Sequence, residues 1–331
     1  MQSVKFDDFF TGNAFIYLEK SIKLAVEEDG VDLGSFALFS NLSSSNKNTK
    51  ETRVKAIIKA KEETPVVGLA FIPLIMKSVL DYNFNYVHSD NIKINDSCTL
   101  DQSWSWEALA QDGDLVKSGT IVATLSGSAS LLLKAERVIL NFITHLSGIA
   151  KLTRTYVKEL EGGSTVLLDT RKTLPGLRYP EKYAVLMGGA KNHRKNLEEM
   201  LMLKDNHIDA VGSITKAVEI LRNTYAKNCP PIEVECRTLD EVKEAVALKV
   251  ERIMLDNMLN APPFNENSFD LLTQALKLIP ENIESEISGG INLDSLKFIA
   301  KLKPAPNFVS VGRLTHSASA SDFSMVIDFN K

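Results

Sequence analysis

The chain reads as an α/β protein whose C-terminal half is a six-unit β/α barrel, TIM-like but incomplete. Two observations predict this. From residue 165 onward, six short runs rich in branched apolar residues alternate with amphipathic stretches: TVLLD (165–169), MLMLK (200–204), IEVEC (232–236), RIMLD (252–256), ESEIS (284–288) and FVSVG (308–312). That succession argues a parallel sheet with crossover helices. Nearly every run also ends in a polar or small group: Asp169-Thr170-Arg171-Lys172, Lys204-Asp205-Asn206-His207, Glu235, Asp256-Asn257, Ser288-Gly289-Gly290 and Gly312-Arg313. In a barrel such ends converge on one mouth, whereas an open sheet spreads them along an edge. A barrel is therefore expected.

The helices follow from apolar spacing. SITKAVEILRNTYA, TLDEVKEAVAL and NLDSLKFIAKL fill the gaps between strand runs. Before them, residues 131–160 carry Leu132, Ile139, Phe142, Ile143, Leu146, Ile149, Val157 and Leu160 at helical intervals and stop at Gly162-Gly163. This predicts one long helix. The N-terminal third is less regular. YLEKSIKLAVEEDG (17–30) is helical and stops at Gly30, and SNLSSSNKNTKET (40–52) is a polar loop. RVKAIIKAKEETPVVGLAFI alternates as a strand, breaks at Thr64-Pro65 and is expected to resume as a strand. DGDLVKSGTIVATLSGSAS (112–130) reads as two short strands around a Lys-Ser-Gly turn, and 81–106 as an extra hairpin or loop.

Composition narrows the function classes. Lys+Arg total 38 against 42 Asp+Glu, so the formal charge of -4 offers nucleic acid no general attraction. The longest apolar run, VVGLAFIPLIM (66–76), is too short for a bilayer, and MQSVKFDDFF does not read as a signal peptide. Three cysteines, Cys98, Cys229 and Cys236, stand apart with no CxxC, which argues against a disulfide framework or a zinc site. A cytoplasmic globular protein, with no membrane and no nucleic acid among its partners, is the expectation.

Three kinds of group meet at the predicted mouth. The cations are Arg171, Lys172, His193, Arg194 and Lys204, and the carboxylates are Glu235 and Asp256. The third is backbone: ISGGINLDSL runs from strand through Ser288-Gly289-Gly290 into a helix, leaving N–H groups that can cradle a phosphate, and Gly312 can add to that surface. Alternating glutamates in IEVEC are costly unless their face meets water or a cation. The set suits a small substrate with several anionic groups.

These motifs have a family resemblance. DTRKTLPGLRYPEKYAVLMGGAKNHR, LKDNHI, IEVEC, IMLDNM, SGGINLDSL and SVGRLTHS, in this order, closely resemble quinolinate phosphoribosyltransferase over about 130–320. The resemblance implies an N-terminal α/β sandwich domain (1–129, with the tail 315–331 as a candidate addition) and a catalytic barrel (130–314). It implies conversion of quinolinate and phosphoribosyl pyrophosphate, with Mg²⁺, to nicotinate mononucleotide, pyrophosphate and CO₂ in NAD biosynthesis. By the matching motifs, Arg171, His193, Arg194 and Lys204 bind the quinolinate carboxylates and Lys172 lies near both substrates. Arg137, in AERVILNF, matches an arginine that reaches the neighbouring subunit's site, which implies a homodimer. Glu235 and Asp256 match acids near the ribose and metal, and Ser288, Gly289, Gly290 and Gly312 match the 5′-phosphate cradle.

There are departures from the pattern. EEDGVDLGSF keeps an acidic, Gly-rich N-terminal element only loosely, Ala190 stands where a third glycine is common, and Arg313 replaces a small or apolar residue. Rival readings are the related proteins linked to molybdenum transport, a nicotinate-specific phosphoribosyltransferase, or a non-catalytic binder of an anionic metabolite. Two adjacent carboxylates need a dense cation cluster, and a mere binder has no use for Lys172, Glu235 and Asp256 together.

Overall fold

The structure, a computed structural model, describes residues 4–35, 38, 53–87, 103–259 and 264–329. The loop expected at 40–52, Cys98 and the segment 88–102 lie outside the described residues. The chain separates into two compact units. One comprises Met1–Leu152, Pro175–Gly188 and Ala318–Lys331, the other Thr153–Leu174 and Gly189–Ser317. The division thus falls inside the long helix Ala129–Glu159 rather than at its start.

The first unit holds an antiparallel sheet. Its strands are β1 (Arg53–Ala60), β3 (Ser105–Ala108), β5 (Ile121–Ser128) and β12 (Phe323–Asp328), in the order β12-β1-β5-β3. A separate two-stranded pair joins β2 (Thr64–Pro65) to β4 (Leu115–Val116). Strand β1 shows why these residues make a half-buried strand: Val54, Ala56, Ile58 and Ala60 are buried while Lys55 and Lys59 alternate with them. The expected pair of strands around Lys117–Thr120 is present as β4 and β5, with Thr120 N–H donating to Lys117 O at 3.1 Å.

Two N-terminal expectations are corrected. After Pro65 the chain does not resume a strand. Gly68 turns at φ 108°, and the chain enters a short 3-10 turn (Leu69–Phe71) and the helix Ile72–Val87. Asp112 Oδ1 accepts the Gly68 and Leu69 N–H groups at 3.0 and 2.9 Å, satisfying donors that a strand would have paired elsewhere. Asp81–Val87 therefore finish a helix rather than start a hairpin, and Ser105–Ala108 form the edge strand β3.

The tail is held by a close approach. A Cβ on Gly148 would overlap the Ser319 carbonyl oxygen, while Ser321 N–H donates to Thr144 O at 2.9 Å. Beyond that contact β12 pairs antiparallel with β1, Ile57 opposite Val326. The helix Arg178–Met187 also belongs to this unit: Tyr183 is 1% exposed and packs among Phe6, Phe9, Phe10 and Phe71. That departs from the simple alternation read in the sequence, because the helix after the first barrel strand is buried against N-terminal aromatics.

The second unit is the parallel sheet. Its strands are β6 (Val166–Leu168), β7 (Leu201–Leu203), β8 (Ile232–Cys236), β9 (Arg252–Asp256), β10 (Glu284–Ser288) and β11 (Phe308–Ser310). They are ordered β6-β11-β10-β9-β8-β7, with a parallel bridge from Leu168 to Lys191 beside β6. The barrel-like α/β architecture expected from the sequence is present. Crossover helices start at side-chain caps: Ser213 Oγ accepts Lys216 N–H at 3.1 Å, Thr238 Oγ1 accepts Glu241 N–H at 3.2 Å, and Asn292 Oδ1 accepts Ser295 N–H at 2.9 Å. Ile232, Val234, Cys236, Ile253, Leu255, Ile287 and Val309 are buried on one face of this sheet. The alternate positions carry Glu233, Glu235, Arg252, Asp256, Glu286 and Ser288, so the other face is polar.

Candidate active site

Parallel pairing puts all six strand ends on one side of the sheet, and the strand order decides which ends are neighbours. Gly312 follows β11 and Ser288-Gly289-Gly290 ends β10, so the two small-residue turns adjoin. Asp256 ends β9 opposite Ser288. Glu235 lies on β8, and Lys204 follows β7. Arg171 and Lys172 follow β6 on the other flank of β11.

Each turn has a local cause. Gly289 has φ 88°, and a Cβ there would lie 2.8 Å from the Asn257 backbone N, so only glycine fits. Asn257 has φ 53°, donates its N–H to Ser288 O at 3.1 Å and its side-chain amide to Asp256 Oδ2 at 2.6 Å. Burial, then the nearby Glu235 charge, raises the Asp256 carboxyl above the ordinary value. At Gly312 a Cβ would meet Lys172 Cδ at 3.0 Å and His316 Nε2 at 3.3 Å, so the Lys172 stem lies across that turn. Thr315 Oγ1 donates to the Lys172 carbonyl at 2.8 Å and fixes its backbone.

Arg171 acts on the charge of Arg194, and Lys204 and Lys172 both act on Asp256. Lys204 Nζ donates to Glu235 Oε2 at 2.9 Å. Arg194 Nη1 donates to Met200 O at 2.8 Å, and its guanidinium is lowered below the usual range by burial and by the neighbouring Arg171 charge. His207 is a capping residue, its Nδ1 accepting the Lys204 N–H at 3.1 Å. His193 is buried. Its residue is 6% exposed, Nδ1 accepts the Arg194 N–H at 2.7 Å, and Nε2 lies 3.1 Å from Glu233 Oε2. Arg137 is exposed on the part of the Ala129–Glu159 helix that lies in the first unit. Arg313 is exposed and hydrogen-bonds the Tyr156 phenol.

Four residues with a bearing on the site were missed by sequence reasoning. Asp169 is buried, with Oδ1 accepting His193 N–H and Oδ2 accepting the Asn192 amide, both at 2.8 Å. His316 stands beside Gly312 and Lys172. Glu233 and Glu286 are buried on the polar face, and burial raises both carboxyls. The signal available for Glu233 was its place in IEVEC. Its cations are there: Arg252, Arg194 and Lys204 all act on its charge.

Comparison with known proteins settles the family. Residues 38–147 match the family described as quinolinate phosphoribosyl transferase, N-terminal domain, and residues 149–326 match its C-terminal domain. The chain belongs to the quinolinate phosphoribosyltransferase family. Among curated relatives, the chloroplastic carboxylating nicotinate-nucleotide pyrophosphorylase of Oryza sativa subsp. japonica is 35% identical over 319 residues, 94% of this chain and 78% of the relative. The mitochondrial decarboxylating quinolinate phosphoribosyltransferase 2b of Nicotiana tabacum is 34% identical over 321 residues, 94% of this chain and 82% of the relative. The crystal structure of NadC from Streptococcus pyogenes superposes with a TM-score of 0.76 at 35% identity, covering 96% of this chain and 99% of that one. Both family halves are thus present in one chain, in family order. Among the described residues no helix is long and apolar enough to cross a membrane.

Proposed function

We propose that the strand-end cluster transfers a phosphoribosyl group from phosphoribosyl pyrophosphate to quinolinate, giving nicotinate mononucleotide, pyrophosphate and CO₂ for NAD biosynthesis. The observation that carries this is the order of the strand ends. Two glycine turns adjoin, two carboxylates follow, and Lys204 comes last, with Arg171, Lys172 and Arg194 on the loops after β6. That is the order a phosphate, a ribose and a dicarboxylate require.

The residues act mostly by position and charge. Ser288, Gly289, Gly290 and Gly312 offer backbone N–H groups to the 5′-phosphate, and Lys172 reaches over Gly312 between the two substrates. Arg171, Arg194 and Lys204 hold the quinolinate carboxylates, with Arg137 of a second copy closing the pocket in a homodimer. Glu235 and Asp256 face the ribose. As the C1–pyrophosphate bond breaks, their charge stabilises the oxocarbenium character that develops. The pyridine nitrogen forms the new bond to C1. The ring, now a pyridinium, accepts the electron pair of the adjacent carbon–carboxylate bond, CO₂ departs and the ring carbon takes up a proton.

Glu235 and Asp256 suit Mg²⁺: both are hard oxygen donors, and burial together with the neighbouring Glu235 charge raises the Asp256 carboxyl, a repulsion that a cation between the two would relieve. Mg²⁺ held there would neutralise the departing pyrophosphate. The widely spaced cysteines support a cytoplasmic setting.

A mixing experiment tests the shared site. Arg137→Ala and Lys172→Ala should each abolish activity, and mixing them should restore part of it through hybrid dimers. Mixed dimers that form and stay inactive would refute the homodimer site.

A further inference from the structure

We propose that the turn after β11 is the seat of Lys172. Gly312 leaves the space in which the lysine stem lies, and Thr315 is a positioning residue whose hydroxyl fixes the lysine backbone. The kinetic consequence rests on the quinolinate reading above.

The two glycine turns need glycine for different reasons. Gly289 has φ 88°, where other residues are strained. Gly312 has φ -68° and ψ -31°, a conformation open to any residue. It also opens the helix Arg313–His316 with no side-chain cap, a place where Ser, Thr, Asn or Asp is ordinarily favoured. What glycine supplies at 312 is room. A Cβ there would lie 3.0 Å from Lys172 Cδ, with His316 Nε2 next at 3.3 Å. The nearer atom is the middle of a flexible stem. A methyl group at 312 therefore displaces the lysine rather than the fold.

Lys172 needs such a seat because it is exposed, on the loop after β6. Holding a free lysine side chain in one place costs about 2 kcal/mol of rotamer entropy. Its backbone is pinned on both sides. Thr170 Oγ1 accepts the Lys172 N–H at 3.0 Å, and Thr315 Oγ1 donates to the Lys172 carbonyl at 2.8 Å. Thr315 is buried, and its hydroxyl has one proton to give. The Gly312 carbonyl is the longer contact, at 3.0 Å, and already accepts the Thr315 and His316 N–H groups at 3.2 and 3.3 Å. The proton therefore goes to Lys172. Val311 N–H donates to Leu168 O at 3.0 Å, so β11 carries the seat to the strand that leads into the lysine. Lys172 is thus placed by β11 as well as by its own loop, and a change in the turn after β11 reaches the centre between the two substrates.

The experiment compares wild type, T315V, T315S, G312A and K172R by two readouts. One is initial rates with quinolinate and phosphoribosyl pyrophosphate varied separately. The other, without substrate, is the NMR spectrum after reductive methylation with isotope-labelled formaldehyde, in which the Lys172 resonance is the one missing from K172R. T315V removes the hydroxyl at nearly unchanged shape and should lower kcat about fivefold, the loss of one neutral hydrogen bond. T315S keeps the hydroxyl and should return kcat to within about twofold of wild type. G312A should lower kcat at least about tenfold through the displaced lysine. The quinolinate KM should stay within about twofold throughout, because other cations hold the carboxylates. The Lys172 resonance should move in T315V and G312A and return in T315S. A resonance that stays in place, a T315S no better than T315V, or a G312A that raises only the phosphoribosyl pyrophosphate KM overturns the proposal. If T315V does not fold, G312A decides. If wild type gives no product from quinolinate, the proposed function fails, and the resonance still decides the seat.

Discussion

Lys204 Nζ and Glu235 Oε2 meet at 2.9 Å across neighbouring strands, so the cation proposed for a substrate carboxylate and the acid proposed for the ribose hold each other. Substrates must divide this pair between them. Lys204→Ala should raise the quinolinate KM about ten- to hundredfold, the loss of one charged hydrogen bond of about 1.5–3 kcal/mol. Glu235→Gln should lower kcat on the order of a hundredfold and leave the quinolinate KM nearly unmoved, because its charge acts on the transition state. Initial-rate measurements separate the two patterns.

Gly289 tests the phosphate cradle. Alanine there is opposed both by φ 88° and by the Asn257 backbone. Gly289→Ala should raise the phosphoribosyl pyrophosphate KM at least about tenfold while the quinolinate KM holds. Equal loss for both substrates would place the turn outside the phosphate subsite.

The tail contact gives a stability test. Gly148→Ala forces a methyl into the Ser319 carbonyl, an overpacking expected to cost about 1–3 kcal/mol. Ser319→Gly leaves that carbonyl in place and should not rescue it. Truncation before Asp322 removes β12 and should relieve the Gly148→Ala penalty, since the clashing segment is then free to leave. Urea titrations of the single and combined variants read this out.

Asp112 makes stability depend on pH. Burial, opposed by N–H and Tyr183 hydrogen bonds, pushes its carboxyl up to about 6 from an ordinary value of 3.8. The folded state then binds the proton more tightly than the unfolded chain. The stabilisation is full below the unfolded value and is lost as pH rises through about 6. Asp112→Asn has no such group. Its melting temperature minus that of wild type should therefore increase between pH 4 and pH 7 and level off above. A difference that stays flat would show that Asp112 titrates normally.

The parallel sheet was legible because strands covered by helices read as short continuous apolar runs, and their polar ends stood out against that background. The cations and the glycine turns were legible for the same reason. What sequence could not show depended on register and on distant packing. Glu233 and Glu286 lie fifty-three positions apart in the chain and meet only through β9. The helix Arg178–Met187 has ordinary amphipathic spacing, and nothing local says that Tyr183 will pack among Phe6, Phe9, Phe10 and Phe71. At 66–76 the apolar run fits a strand or a helix equally, and Gly68 with the distant Asp112 decided for the helix.

The most direct measurement uses quinolinate labelled in the carboxyl adjacent to the ring nitrogen, given to purified protein with phosphoribosyl pyrophosphate and Mg²⁺. The expected result is one labelled CO₂ released for each nicotinate mononucleotide formed, with no nucleotide from nicotinate. Nucleotide formed from nicotinate, and none from quinolinate, would contradict it.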